Sequence, residues 1–101
     1  MIHSKIPEPL STILSTYCDV NAIEMVDYLH GDIKDHKIAP DKAELFRKQL
    51  LDAIENKTIT PNQYKALTGE NEYTTQEDLQ DWLAELWSIV FPDQKLNIKT
   101  I

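Results

Sequence analysis

Along most of the chain the apolar residues recur every three or four positions, the interval at which side chains share one face of a helix. The pattern is sharpest from Thr74 to Phe91, read TTQEDLQDWLAELWSIVF. There Leu79, Trp82, Leu83, Leu86 and Val90 fall on one side, and Glu77, Asp81, Glu85 and Ser88 on the other. Thr74 and Glu77 have the spacing of a capping box, in which a hydroxyl and a carboxylate each satisfy a free backbone N–H, and Pro92 stops continuation. Glu77 and Asp78 add negative charge where the helix dipole favours it. The spacing predicts an amphipathic helix with an acidic outer face.

Upstream, Pro7 and Pro9 flank an acidic residue and predict that residues 1 to 8 run extended before Leu10. Leu10, Ile13, Leu14 and Tyr17 then have the spacing of a short helix. A second is expected from Asp19 or Asn21, with Asn21 and Glu24 at the capping interval. It turns Ala22, Val26, Leu29 and Ile33 inward, with Met25 beside them, and Glu24, Asp27 and Tyr28 outward. Gly31 is expected to fray or end it, because glycine costs about 1 kcal/mol in a helix interior. The run DIKDHKIA reads as a connector or loose final turn.

Pro40 opens the longest helix, where its missing N–H does no harm. Ala43, Phe46, Leu50, Ala53, Ile54 and the stem of Lys57 form its inner face, and Asp41, Lys48, Asp52 and Glu55 its outer one. Glu44 is spaced to pair with Lys48, and Leu45 falls among the outer residues, as an ordinary exposed leucine or a contact point. Thr60-Pro61-Asn62-Gln63 marks a short helix with Tyr64 and Leu67 inward and Gly69 suited to the left-handed turn beyond its end. The C-terminal LNIKTI alternates weakly and is read as irregular. The expectation is an all-α, single-domain bundle of about five helices spanning the chain, with its core between residues 10 and 91.

Composition narrows the function classes. The 42% hydrophobic and 27% charged shares are those of a soluble globular protein. No apolar run approaches the roughly 18 residues that span a bilayer, and no signal-like segment opens the chain, so the expected location is the cytoplasm, with no membrane partner. Seventeen acidic against ten basic residues give a formal charge of −7, which disfavours nucleic acid and favours either a basic protein partner or plain solubility. Cys18 is the only cysteine, which excludes an internal disulfide and a thiolate-rich zinc site, and it reads as a buried thiol. His30, Asp32, Asp35 and His36 lack zinc-site spacing, and two glycines cannot build a phosphate loop. No nucleophile–base pair is legible, so neither catalysis nor a metal or other cofactor is expected.

The remaining feature is the distribution of charge. Glu70, Glu72, Glu77, Asp78, Asp81 and Glu85 follow one another with no lysine or arginine among them. A solvated helix face usually mixes both signs, as the long middle helix does. A one-signed patch containing Tyr73, with Trp82 and Trp87 on opposite borders of the apolar stripe, has the ingredients of an interface for a basic partner.

With its Leu14, Tyr17, Asp19 run, charged middle helix, Thr60-Pro61 helix start and final Tyr73, Thr75, Trp82-Leu83, Leu86 pattern, the chain resembles the small helical immunity proteins of bacterial contact-dependent growth inhibition and related polymorphic toxin systems. The resemblance covers residues 10 to 91. The E-type colicin immunity proteins are similar in size, helicity and acidity, but their Tyr-Tyr-Pro turn is missing here. The resemblance implies stoichiometric neutralisation of a toxic nuclease domain in the cytoplasm, with Tyr73, Glu77, Asp78, Asp81 and Glu85 as the expected contact residues. The alternative is an acidic adaptor or antitoxin-like regulator of another basic protein. The toxin's target and the oligomeric state stay open.

Overall fold

Three of the α-helices start where a side-chain oxygen accepts from an otherwise unpaired backbone N–H, and tracing those acceptors explains much of the architecture. The computed structural model describes residues 6–94. Five α-helices follow in order: α1 (Leu10–Tyr17), α2 (Val26–Lys34), α3 (Pro40–Asn56), α4 (Pro61–Thr68) and α5 (Gln76–Val90), with a 3-10 segment at Val20–Met25 between the first two. No strand occurs among the described residues, so the all-α bundle is the fold. The LNIKTI tail lies outside the described residues.

The α4 cap forms as its sequence predicts. Thr60 Oγ1 accepts from Gln63 N at 3.1 Å and Gln63 Oε1 accepts from Thr60 N at 2.8 Å, while Gly69 closes the helix at φ 80°. The α5 cap is shifted by one residue from its expected place. Thr75, not Thr74, accepts from Asp78 N at 3.1 Å, which leaves Glu77 at the wrong interval to complete a box.

The start of α1 is capped from a distance. Pro9 supplies no capping side chain, and Gln49 of α3 accepts from Leu10 N at 3.0 Å while donating to Glu8 O at 2.8 Å. The Glu8 carboxylate accepts from Thr12 N at 3.0 Å and from Thr12 Oγ1 at 2.6 Å. These bonds draw residues 7–10 into a turn, closed by Ser11 N on Pro7 O at 2.8 Å, where the prolines alone suggested an extended run.

Several local expectations are corrected. Asp19 caps the 3-10 segment, accepting from Asn21 N at 2.8 Å, and Ala22 departs from helical geometry at φ −145°, so α2 begins only at Val26. Gly31 does not end α2. The helix continues to Lys34 because Leu29 is buried, Ile33 packs against the core and the His30 ring bonds to α5. Glu44 pairs with Arg47 at 2.6 Å and not with Lys48. Lys57 is exposed in a left-handed conformation that terminates α3, so its stem does not join the inner face.

The core gathers Leu10, Ile13 and Leu14 from α1, Leu29 from α2, Phe46, Leu50, Ala53 and Ile54 from α3, and Leu79, Leu83, Leu86 and Val90 from α5. α5 packs on α3 and α2, and α1 packs on α3 and α4. Full burial of each Leu, Ile or Phe stabilises the fold by about 1.5–3 kcal/mol, so these residues supply most of the driving force. Trp87, 3% exposed, completes the inner stripe of α5, meets the Phe91 ring at a tilt of 50° with centroids 4.8 Å apart, and donates from Nε1 to Gln94 O at 2.6 Å. Trp82, read from sequence as an inner residue, is only partly buried.

The two glycines have opposite roles. A Cβ at Gly31 meets open space, whereas one at Gly69 meets Val20 Cγ1 at 3.0 Å on a backbone held at φ +80°. Gly31→Ala is therefore expected to raise unfolding stability by about 0.5–1 kcal/mol and Gly69→Ala to lower it by at least about 1 kcal/mol, as read from urea midpoints. Equal shifts of one sign would contradict this assignment.

Candidate functional site

The site is set by the rotation of α5 about its own axis. Side chains advance by about 100° per residue, so Asp78, Asp81, Trp82 and Glu85 share one side of the helix. On the opposite flank Gln80 Nε2 donates to Ala53 O at 3.0 Å and to Ile54 O at 2.6 Å. These carbonyls belong to the last turn of α3, which has no intrahelical donor for them. Gln76 Nε2 donates to Ile59 O at 2.8 Å and to Gln80 Oε1 at 2.6 Å. With the leucine stripe buried and one flank tied to α3, the carboxylate side faces solvent.

Trp82 borders both worlds. Its Nε1 donates to the Tyr64 hydroxyl at 2.6 Å, and Tyr64 is buried and shares a hydrogen bond with the Cys18 thiol. Tyr73 stacks on Trp82 with ring centroids 5.8 Å apart and planes 7° from parallel, and meets Tyr64 edge-on at 5.9 Å. A column of Cys18, Tyr64, Trp82 and Tyr73 thus runs from the core to the surface. Stacked and edge-on pairs of this kind contribute about 0.5–1.5 kcal/mol each beyond their buried area.

Around the outer end of this column, Glu72, Tyr73, Asp78, Asp81, Trp82 and Glu85 line a groove of about 380 Å³. Of the residues expected to act together, Tyr73, Asp78, Asp81 and Glu85 are brought to one place. Glu77 is not. It is exposed but does not line the groove, because it precedes Asp78 by about 100° of helix rotation, on the side away from Tyr73. The additions are Glu72, carried in by the α4–α5 loop, and Trp82. The interval 78, 81, 82, 85 was the available signal for Trp82, since it places the indole on the edge of the acidic side as much as on the apolar one.

Among the described residues the one ion pair is Arg47 with Glu44, and no described lysine or arginine pairs with a carboxylate of the groove. Burial first, then the charges of Glu70, Glu72 and Glu85, push the Tyr73 phenol up to about 12. Burial also raises the Tyr64 phenol, and it raises the Cys18 thiol to about 12. The column is uncharged at neutral pH, with the thiol inside it held protonated by burial. Elsewhere His30 Nδ1 lies 2.9 Å from Val90 O and, facing a carbonyl, carries the proton. Among the described residues no three His, Cys, Asp or Glu side chains are grouped to hold a metal ion. No described helix is long and apolar enough to cross a membrane.

Protonated Cys18, Tyr17 and Tyr73 are all favoured by the fold, Tyr17 through burial and its bond to Asp32. Raised folded-state values of this sign stabilise fully below the ordinary values of 9.0 for the thiol and 10.0 for the phenols, and the stabilisation is lost as pH rises through about 12. Urea midpoints are expected to fall over that alkaline window, less steeply in Tyr73→Phe. A flat profile, or one unchanged by Tyr73→Phe, would contradict the assignment.

Compared with known proteins, the chain matches no family model, no curated protein and no solved structure.

Proposed function

We propose that the protein is a binding module that takes a basic protein against the Tyr73–Trp82 groove. We further propose that this partner is the toxic nuclease domain of a contact-dependent inhibition effector, neutralised by occupancy in the cytoplasm without any reaction. One observation supports the reading above others: Glu72, Asp78, Asp81 and Glu85 converge on a stacked aromatic pair, with no ion-pairing cation among the described residues.

Carboxylates held together repel one another in the free protein, and a cationic surface relieves that repulsion on binding. Long-range attraction of this kind raises the encounter rate and selects the partner by charge. Tyr73 and Trp82 add what charge lacks: rigid, half-buried rings that present apolar area at small entropic expense. A nuclease grips phosphates with lysine and arginine, so its working face carries the complementary sign. A carboxylate surface either occupies that face or lies beside it and repels the substrate. The groove itself supports a basic protein partner, and the family resemblance supports the nuclease.

Charge reversal tests the surface. Asp81→Lys/Glu85→Lys is expected to abolish growth rescue on co-expression with a nuclease toxin domain that the unaltered protein neutralises, and to weaken binding by about tenfold or more with a shallower salt dependence. The control Asp41→Lys/Glu55→Lys, on exposed positions of α3, keeps rescue. Full rescue and an unchanged salt dependence in the first variant would remove this face from consideration.

A further inference from the structure

A second concavity, separate from the acidic groove, lies between the start of α1 and the segment leading into α3. It encloses about 730 Å³, within the size range of small-molecule sites. Its walls are largely apolar, with Pro9, Ile13, Ile38 and Leu45 among them, and Leu45 is 46% exposed. One exposed leucine is ordinary, but beside Pro9, Ile13 and Ile38 it extends an apolar wall of the kind that lines small-molecule sites.

The polar groups here have unequal freedom. The Glu8 carboxylate is engaged by Thr12 N and Oγ1, and the Tyr17 hydroxyl donates to Asp32 Oδ2 at 2.6 Å. Lys37 and Lys42 also line the cavity, and neither takes part in an ion pair among the described residues. Glu8 is the one carboxylate among the lining residues, so the two lysines leave this rim with a single net positive charge over an apolar interior, on a chain of net charge −7. A ligand matching both parts has a hydrocarbon body and a negative head.

We propose that this groove binds an anionic amphiphile, a saturated acyl chain ending in a carboxylate. The chain lies against Ile13, Ile38 and Leu45, and the carboxylate accepts from the Lys37 and Lys42 ammonium groups. The site is independent of the acidic groove and of the function proposed for it.

The test is titration calorimetry of the full chain with laurate below its micelle-forming concentration, with 1-dodecanol as the uncharged match, and with amide NMR spectra to locate binding. Saturable one-to-one binding of laurate is expected, with shifts confined to residues 8–17 and 37–45. Dodecanol and the Lys37→Glu/Lys42→Glu variant, altered only at exposed positions, are each expected to lose about tenfold or more in affinity. Absence of saturable laurate binding would overturn the proposal. So would equal affinity for dodecanol, undiminished laurate binding by the double variant, or shifts centred on the Tyr73–Trp82 groove.

Discussion

The rotational setting of α5 is the constraint from which the rest of the surface follows. Leu79, Leu83, Leu86 and Val90 bury one side of that helix, but a leucine stripe alone tolerates some rolling against its neighbours. Gln80 removes that freedom by donating to Ala53 O and Ile54 O, and Trp82 does the same on the other flank through the Tyr64 hydroxyl. Once both flanks are tied, Asp78, Asp81 and Glu85 have one direction left. The acidic side is thus a consequence of how the core is latched.

The same device operates at α1, where Gln49 bonds Leu10 N and Glu8 O. In both places a glutamine on one helix satisfies the terminal backbone groups of another, tying α1 and α5 to α3 without any buried charge. A hydrogen bond of this kind adds only about 1 kcal/mol net, while a buried carbonyl left unpaired costs about 1–3 kcal/mol. The glutamines therefore fix how the helices are set against α3, and the hydrophobic core provides the bulk of the stability. Among the described residues no buried side-chain nitrogen or oxygen lacks a partner, which agrees with that division of labour.

The periodic stripes of α1, α3 and α5 and the capping box of α4 were legible in the sequence because each depends on neighbours within a turn or two. What escaped depended on distant partners. Residues 7–10 form a turn because of Gln49, some forty positions away, and Gly31 stays helical because α2 is held by contacts with the core and α5. The acidic cluster was visible as a run, and the structure places Tyr73, Asp78, Asp81 and Glu85 along one groove. Glu77 departs because one residue of helix phase turns it away. Trp82 joins by its helix interval with Asp78, Asp81 and Glu85, whereas Glu72 joins because a loop carries it and Tyr73 back to the indole, a return that no interval in the sequence encodes.

A surface of one charge sign built on fixed aromatic rings is suited to recognition, and the partner's footprint decides whether this one is so used. The most direct measurement is amide hydrogen exchange of the chain alone and mixed with the basic nuclease domain proposed as its partner. Protection concentrated over residues 72–85, fading as salt is raised, is the predicted result. Protection confined to α2 and α3, with exchange over residues 72–85 unchanged, would contradict the account.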